Sequence, residues 1–502
     1  IYNKAEIARH YDLTSEDQTV TVKTPTIKTA ASAADDTTLK SVDCGTSAGI
    51  LDRVSYTNLK DGQTYTLVAS VYDKTTKVWV DNVATKEFKA DSKVGYVDVN
   101  LTFDTSDKRG HELVIGETLY IDDVAIVTHK DVADKDQTVN VQAPEIKTVA
   151  TGTDGEHIVD CTDDLTIQDT VSYKNLVVGN TYVMIAGLYD ATAKEWIGDN
   201  VGTKTFTPAT SDGEVVVEIK NIDTTSRAGH KLVVVETLKA SNTIITEHND
   251  LEDTNQTVTV KQPKINTVAS ASADSDVKLV DCYDSITIYD TVAFTDLVPG
   301  KEYTITASLW DATDDKSLGK SVGTKTFKPE SANGKVVVEI TDVDTHALAN
   351  HKIVVFETLN YKDTTIATHE DKNDTDQTVT VKQPKIATKA YGSDKNKKID
   401  CIANVTIFDD VMYENLTVGK TYTLVAGLYD INKGEYVGKE VSHDFVPTSA
   451  NGTETVEIPN VNTTALMGDS IVVVEKLVSN KIVYVNHDDL TDTDQTVTVK
   501  GP

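Results

Sequence analysis

Asp136-Gln137-Thr138-Val139, then Pro144, then Ile146-Lys147-Thr148 is the stretch on which the reading of the chain turns. Apolar residues alternate with polar ones on both sides of the proline, so it reads as a strand, a joint and a second strand. The same stretch returns as Asp17-Gln18 to Thr29, Asn255-Gln256 to Thr267 and Asp376-Gln377 to Thr388, and Gln495 closes the series. Each joint ends one repeat on a glutamine and opens the next on a threonine.

The glutamines at 18, 137, 256, 377 and 495 recur roughly every 119 residues. Pro25/Pro144/Pro263/Pro384, the aromatic at 56/173/294/413, the Glu at 117/236/357/475 and the His at 129/248/369/487 keep the same phase. Such self-similarity marks a tandem array. Four copies occupy residues 25–143, 144–262, 263–383 and 384–502. Residues 1–24 align with 120–143, and His10 and Gln18 keep the spacing of His129 and Gln137. They are expected to be the last two strands of a preceding copy, in a chain that extends upstream or completes another subunit.

Within a copy the apolar period is two, as in Ile167, Val171 and Tyr173, with turn signals at Val178-Gly179-Asn180, Pro299-Gly300, Asp212-Gly213, Asn333-Gly334 and Asn451-Gly452. Short strands in units of about 119 residues predict an all-β chain, a tandem array of four immunoglobulin-like β-sandwiches. The 502 residues carry 79 acidic against 48 basic side chains, a net charge of −31, which repels nucleic acid and anionic membranes. No window approaches the roughly 20 apolar residues of a membrane span. No leader is visible, so a mature fragment or excised segment is expected. The cysteines, Cys44, Cys161, Cys282 and Cys401, fall one per repeat and cannot pair within a domain. They read as small buried hydrophobes.

The recurring polar residues share the parity of the core. Thr148 is in phase with Ile146, Gln137 with Val139, Asp169 with Ile167 and Val171, and Glu236 with Val234 and Leu238. All four should point inward, as should Asp52, Asp290 and Asp409 and Glu117, Glu357 and Glu475. Ionised carboxylates buried alone would cost several kcal/mol, so these must be paired, hydrogen-bonded or protonated. Another recurring histidine (111, 230, 351; Asp469 in repeat 4) reads as a surface turn residue.

The Ile-x-Thr opening, Asp-Thr-Val-Ser-Tyr (169–173), Val-Val-Phe-Glu-Thr-Leu (354–359), Thr-His (368–369) and Asp-Gln-Thr-Val (376–379) together resemble the T-Q ester-bond domains, or VaFE repeats, of Gram-positive adhesin stalks. The resemblance covers essentially the whole chain. It implies an intramolecular ester between the first-strand Thr and the last-strand Gln: Thr29–Gln137, Thr148–Gln256, Thr267–Gln377 and Thr388–Gln495. Gln18 is left as an unpaired crosslink residue. His129, His248, His369 and His487 would shuttle the proton, with Asp52/Glu117, Asp169/Glu236, Asp290/Glu357 and Asp409/Glu475 orienting and polarising. Repeat 3 has Phe294 for the usual Tyr, repeat 2 has Asn255 for Asp, and repeat 4 has Asp410 and Lys476 for Thr.

The expected function is the stalk of a cell-surface adhesin, extracellular and wall-anchored, whose host or cell-surface ligand binds a domain outside this segment. One alternative is a fibre subunit that uses residues 1–24 and Gln18 to join neighbouring copies. A lesser one is a calcium-rigidified array using Asp131–Asp136, Asp371–Asp376 and Asp488–Asp494. No cofactor, metal or turnover enzyme activity is expected, since the Gln would be consumed once.

Overall fold

A computed structural model describes residues 8–240 and 242–501, with only the backbone at Lys320 and Ser321. Residues 1–7 of the expected preceding-repeat strands lie outside the described residues. Regular structure among the described residues consists of strands and two 3-10 turns. No helix there is long and apolar enough to cross a membrane.

Repeat 1 contains β1 (Thr26–Ala33), β2 (Ser41–Val42), β3 (Ala48–Thr57), β4 (Thr64–Asp73), β5 (Val78–Lys89), β6 (Val94–Phe103), β7 (Glu112–Ile121), β8 (Val124–His129) and β9 (Thr138–Val141). One sheet has the order β1-β3-β6; the other runs β2-β9-β7-β4-β5, with β8 also paired to β7. All pairs are antiparallel except β2 with β9. The two-residue period puts Ile50, Asp52, Val54 and Tyr56 of β3 inside, opposite Ile115, Glu117 and Leu119 of β7 in the other sheet. First and last strands therefore belong to different sheets, and a bond between them would tie one sheet to the other.

The other repeats keep this order. In repeats 2 and 4 the counterpart of β5 is broken into Glu195–Trp196 with Gly202–Phe206 and Glu435–Tyr436 with Gly438-flanked Val441–Phe445. Gly179 and Gly300 have φ of 84° and 80°, as the predicted turns require, and Gly419 at the equivalent position of repeat 4 has 78°. The glycines of Asp212-Gly213, Asn333-Gly334 and Asn451-Gly452 serve a different purpose. Each opens a strand beneath the ring of Tyr173, Phe294 or Tyr413, and a Cβ there would collide with it. These rings pack at a tilt against Phe206, Phe327 and Phe445, so the aromatic at this position is a packing residue and Phe294 can replace Tyr.

The chain divides into two compact units, one with repeat 1 and most of repeat 2, the other with repeats 3 and 4 and residues 160–162 and 223–229. Inside the second unit Tyr283 of repeat 3 joins the core of repeat 4, against Tyr422 and Tyr484, with its hydroxyl 3.1 Å from Ser479 Oγ. All four cysteines are free. Cys44, Cys161 and Cys282 are buried and point Sγ at the carbonyls of Thr105, Thr224 and Thr345, and burial pushes each thiol up to about 11.

Residues 8–24 differ from the expectation: they carry no strand, and Val20 and Val22 are exposed. A strand needs a neighbour for its ladder, and none of the described residues offers one. The loop before Gln18 nevertheless keeps the turn made before Gln137. Ser15 N donates to Asp12 O and Thr19 Oγ1 to Ser15 O, as Asp134 N does to Asp131 O and Thr138 Oγ1 to Asp134 O.

Candidate functional site

In every repeat a threonine, a glutamine, an aspartate and a glutamate meet in the core. The three-stranded sheet supplies Thr29 from β1 and Asp52 from β3; the other sheet supplies Glu117 from β7 and Gln137 just ahead of β9. These four side chains and their twelve counterparts (Thr148, Asp169, Glu236, Gln256; Thr267, Asp290, Glu357, Gln377; Thr388, Asp409, Glu475, Gln495) are all buried.

The glutamine is held by its nitrogen. Nε2 of Gln137, Gln256, Gln377 and Gln495 donates to Oε2 of Glu117, Glu236, Glu357 and Glu475 at 3.1, 2.6, 2.6 and 2.8 Å. Its other hydrogen meets the carbonyl of His129, His248, His369 or His487 at 3.3–3.5 Å. Thr267 Oγ1 donates to Glu357 Oε2 at 3.2 Å, so threonine and glutamine converge on one carboxylate oxygen. In repeats 1, 2 and 4 the threonine hydroxyl is buried without a partner of good geometry.

Both oxygens of Asp52, Asp169, Asp290 and Asp409, and Oε1 of each glutamate, find no donor. Two facing carboxylates can bond only by sharing a proton, and each Asp lies within bonding reach of its Glu. Burial, added to by the neighbouring aspartate, pushes Glu117 and Glu357 up to about 11 and Glu236 and Glu475 to about 10. Burial raises the aspartates too, Asp290 to about 6. In repeat 3, with Glu357 at about 11 and Asp290 at about 6, the pair holds one proton at neutral pH, on the glutamate side; in the other repeats both carboxyls are shifted in the same directions.

Space for this pair comes from alanines. Asp52 faces Ala31 and Glu117 faces Ala69 across their ladders; Asp169, Asp290 and Asp409 face Ala150, Ala269 and Ala390, and Glu236, Glu357 and Glu475 face Ala186, Ala307 and Ala426. Alanine reads as filler in a sequence, and only the register reveals the repeated placement.

The histidines border the site at the end of β8 and its counterparts, opposite the glutamate in the ladder. Nδ1 is buried and lies 3.9–4.0 Å from the glutamate Oε2 in repeats 2 and 3. Nε2 faces a carboxylate, Asp134, Asp253, Asp374 or Asp492, at 3.4, 3.5, 3.3 and 3.7 Å, and all of these but Asp253 lie in the acidic loops named above. The signal was an Asp three residues before every Gln from 137 onward. That aspartate also accepts the backbone N–H of the residue before the glutamine, at 2.8 Å in each repeat. The acidic loops named as calcium ligands thus cap their own turns. The described cluster that could hold an ion is elsewhere: Asp311, Asp314 and His351.

His111, His230 and His351 correct the reading as surface turn residues. Each is half-buried, with Nδ1 2.8–2.9 Å from Oδ2 of buried Asp73, Asp190 or Asp311. Repeat 4 replaces the histidine by Asp469 and meets Asp430 with Lys433, 3.7 Å away and also 3.2 Å from Asp469. The departures Asp410 and Lys476 lie off the site. Asp410 accepts from Tyr391 and Thr455, and Lys476 pairs with Glu440. Gln18 lies exposed, with Ser15 where the other loops carry the histidine-facing Asp.

The sequence pattern of the T-Q ester bond containing domain matches residues 25–141, 144–260, 263–381 and 384–499. The chain belongs to that family. Among solved structures, the chain is similar to a bacterial adhesin from Mobiluncus mulieris containing intramolecular disulfide, isopeptide and ester bond cross-links. In one crystal form the identity is 15%, over 43% of this chain and 81% of that one, with a TM-score of 0.23. In a second form the values are 14%, 48%, 94% and 0.23. Escherichia coli alpha-2-macroglobulin activated by porcine elastase gives 11% identity over 95% of this chain and 44% of that one, at a TM-score of 0.17. Likenesses at these scores carry no argument, and the family assignment rests on the four matched repeats. No curated protein matches the chain.

Proposed function

We propose that each T-Q repeat closes an ester between its own threonine and glutamine, and that the tied array is the stalk of a cell-surface adhesin. The observation that carries this is the fourfold meeting of Thr, Gln and a facing Asp–Glu carboxyl pair in a buried core. The threonine Oγ attacks Cδ of the glutamine. The new C–O bond replaces the C–N bond, and the hydroxyl proton leaves with the nitrogen as ammonia. The histidine, oriented by its aspartate, takes the hydroxyl proton; the protonated glutamate beside Nε2 makes nitrogen a better leaving group. A depression over the repeat 3 site, lined by Thr267, His369 and Asp374, gives ammonia an exit. Burial then keeps water from the ester. The reaction runs once per repeat, so this is self-crosslinking and not turnover.

An inter-sheet tie between first and last strands carries tension past the interior of the sandwich. It also closes a loop of about a hundred residues, worth on the order of 4–5 kcal/mol by analogy with disulfides of that span. Protease resistance and rigidity follow, as a surface spacer requires. The deciding experiment is the intact mass under denaturing conditions. Wild type should be lighter by four ammonias, and Thr148→Ala or Gln256→Ala by three. A wild-type mass equal to that of the sequence removes the proposal.

A second reading rests on residues 8–24, where the turn before Gln18 is formed and Val20 and Val22 are exposed. There Gln18 would enter another chain's sandwich, giving covalent multimers on a denaturing gel. A purely monomeric product eliminates this reading.

A further inference from the structure

Beside the sites of three repeats lies a lysine that the chemistry above does not use. Lys40 Nζ donates to the carbonyls of Ala31 at 2.5 Å and Asp136 at 2.6 Å. Lys278 Nζ does the same to Ala269 at 2.7 Å and Asp376 at 2.5 Å. Lys397 Nζ donates to the carbonyl of Asp494. These carbonyls are not arbitrary. Ala31 lies two residues after the reacting Thr29 and is the ladder partner of Asp52, and Asp136 immediately precedes Gln137. The backbone already makes one link here, from Ala31 N to Asp136 O at 2.9 Å, repeated by Ala269 with Asp376 and Ala390 with Asp494. The ammonium adds charge-assisted bonds across the same seam.

We propose that Lys40, Lys278 and Lys397 are positioning residues for ester formation, all three holding the glutamine loop, Lys40 and Lys278 clasping it to the threonine strand as well, and each opposing the negative charge of the buried aspartate. This rests on the ester reading. The charge has a defined audience. Asp290 is faced by Glu357, His369 and Lys278, and Lys278 in turn by Asp376, Asp276, Asp290 and Asp374. Lys40 and Lys397 likewise bear on Asp52 and Asp409, offsetting part of the rise that burial causes.

Repeat 2 supplies an internal comparison. Its residue at this position is His157, which is exposed and makes no such bond, although its backbone carbonyl accepts from Thr259 N at 2.7 Å as Lys40 O does from Asn140 N. Asp169 is faced by Glu236 and His248 and by no lysine. The strand path is the same, and the clasp is missing.

The test uses the full chain made in a short cell-free pulse and chased across a pH series, with the crosslinked peptide of each repeat followed by mass spectrometry. Repeat 2 should close about tenfold more slowly than the others, the size of one lost charge-assisted hydrogen bond. Lys278→Met should slow repeat 3 to the pace of repeat 2. It should also move the acid limb of its rate profile to higher pH, because the aspartate then ionises later. Lys278→Arg should keep the limb in place, and His157→Lys should speed repeat 2. A merely structural lysine would not move the limb. If all four repeats lose ammonia but Lys278→Met leaves rate and limb unchanged, and His157→Lys gains nothing, the lysine role is overturned and the ester reading stands. If no wild-type repeat loses ammonia, both fall.

Discussion

Each sandwich buries two acidic sites, and they are built on opposite terms. Asp311 is fully buried yet well served: it accepts two backbone N–H groups, from Thr313 and Asp314, and His351 Nδ1 at 2.8 Å. Burial raises its pKa, but these partners outweigh burial and hold the carboxyl below the ordinary value. Asp290 lies in the same repeat, with both oxygens lacking a donor, and it is pushed up to about 6. Both are closed to solvent, but Asp290 lies deeper in the sandwich, so heavier desolvation and missing donors together separate the two. A carboxylate surrounded by donors is a fixed anion that stabilises a turn. One that faces a second carboxylate must keep a proton in circulation, which is the condition for acid–base work.

The largest expected effect breaks the reactive side of this comparison. Glu357→Gln should abolish crosslinking of repeat 3, so that the chain loses three ammonias, whereas Asp311→Asn should still lose four. Equal masses for the two variants would erase the distinction. Next comes stability: Thr267→Ala should cost repeat 3 on the order of 4–5 kcal/mol in denaturant melts.

That untied variant also exposes the pH signature of the shared proton. Glu357 titrates near 4.5 when unfolded and about 11 when folded, so between these values the native state holds a proton that the unfolded state has lost. Stability should therefore fall as pH rises above 4.5. Asp311 has the reverse sign. Its pKa is depressed when folded, so its contribution is complete above the unfolded value of 3.8 and disappears as pH falls through the folded value. Asp311→Ala should cost about 1–3 kcal/mol by stranding the N–H groups and His351, measured at neutral pH. The smallest effect belongs to repeat 4, where Lys433 is 37% exposed. Lys433→Ala should cost under about 1 kcal/mol, because water screens that pair.

Much of this is legible in the sequence. Period two in the strands placed the core, and because Asp169 and Glu236 share that period with Ile167 and Val234, their burial was legible too. What escaped lies outside the period. Asp134 sits in a turn, where an acidic residue reads as solvated, and its double task of capping the loop and facing His129 appears only in three dimensions. Lys40 is on the rim, and its reach to two carbonyls depends on χ angles no pattern encodes. His111 precedes β7 outside the alternation, and Asp73, its partner, lies on another strand. The strands expected within residues 8–24 failed for a different reason: alternation specifies a strand's faces but does not supply its neighbour.

The placement of β1 and β9 in opposite sheets bears on the order of events during synthesis. A chain emerging N-terminus first presents Thr29 at the beginning of a repeat and Gln137 near its end, so repeat 1 completes its core while repeat 4 is still unmade. Until the last strand docks, the glutamine, the histidine and its aspartate are missing from the pocket and the threonine has nothing to attack. Under the proposed ester the connection is self-timed: a repeat would pass any narrow pore as a linear thread and become a closed ring only once whole.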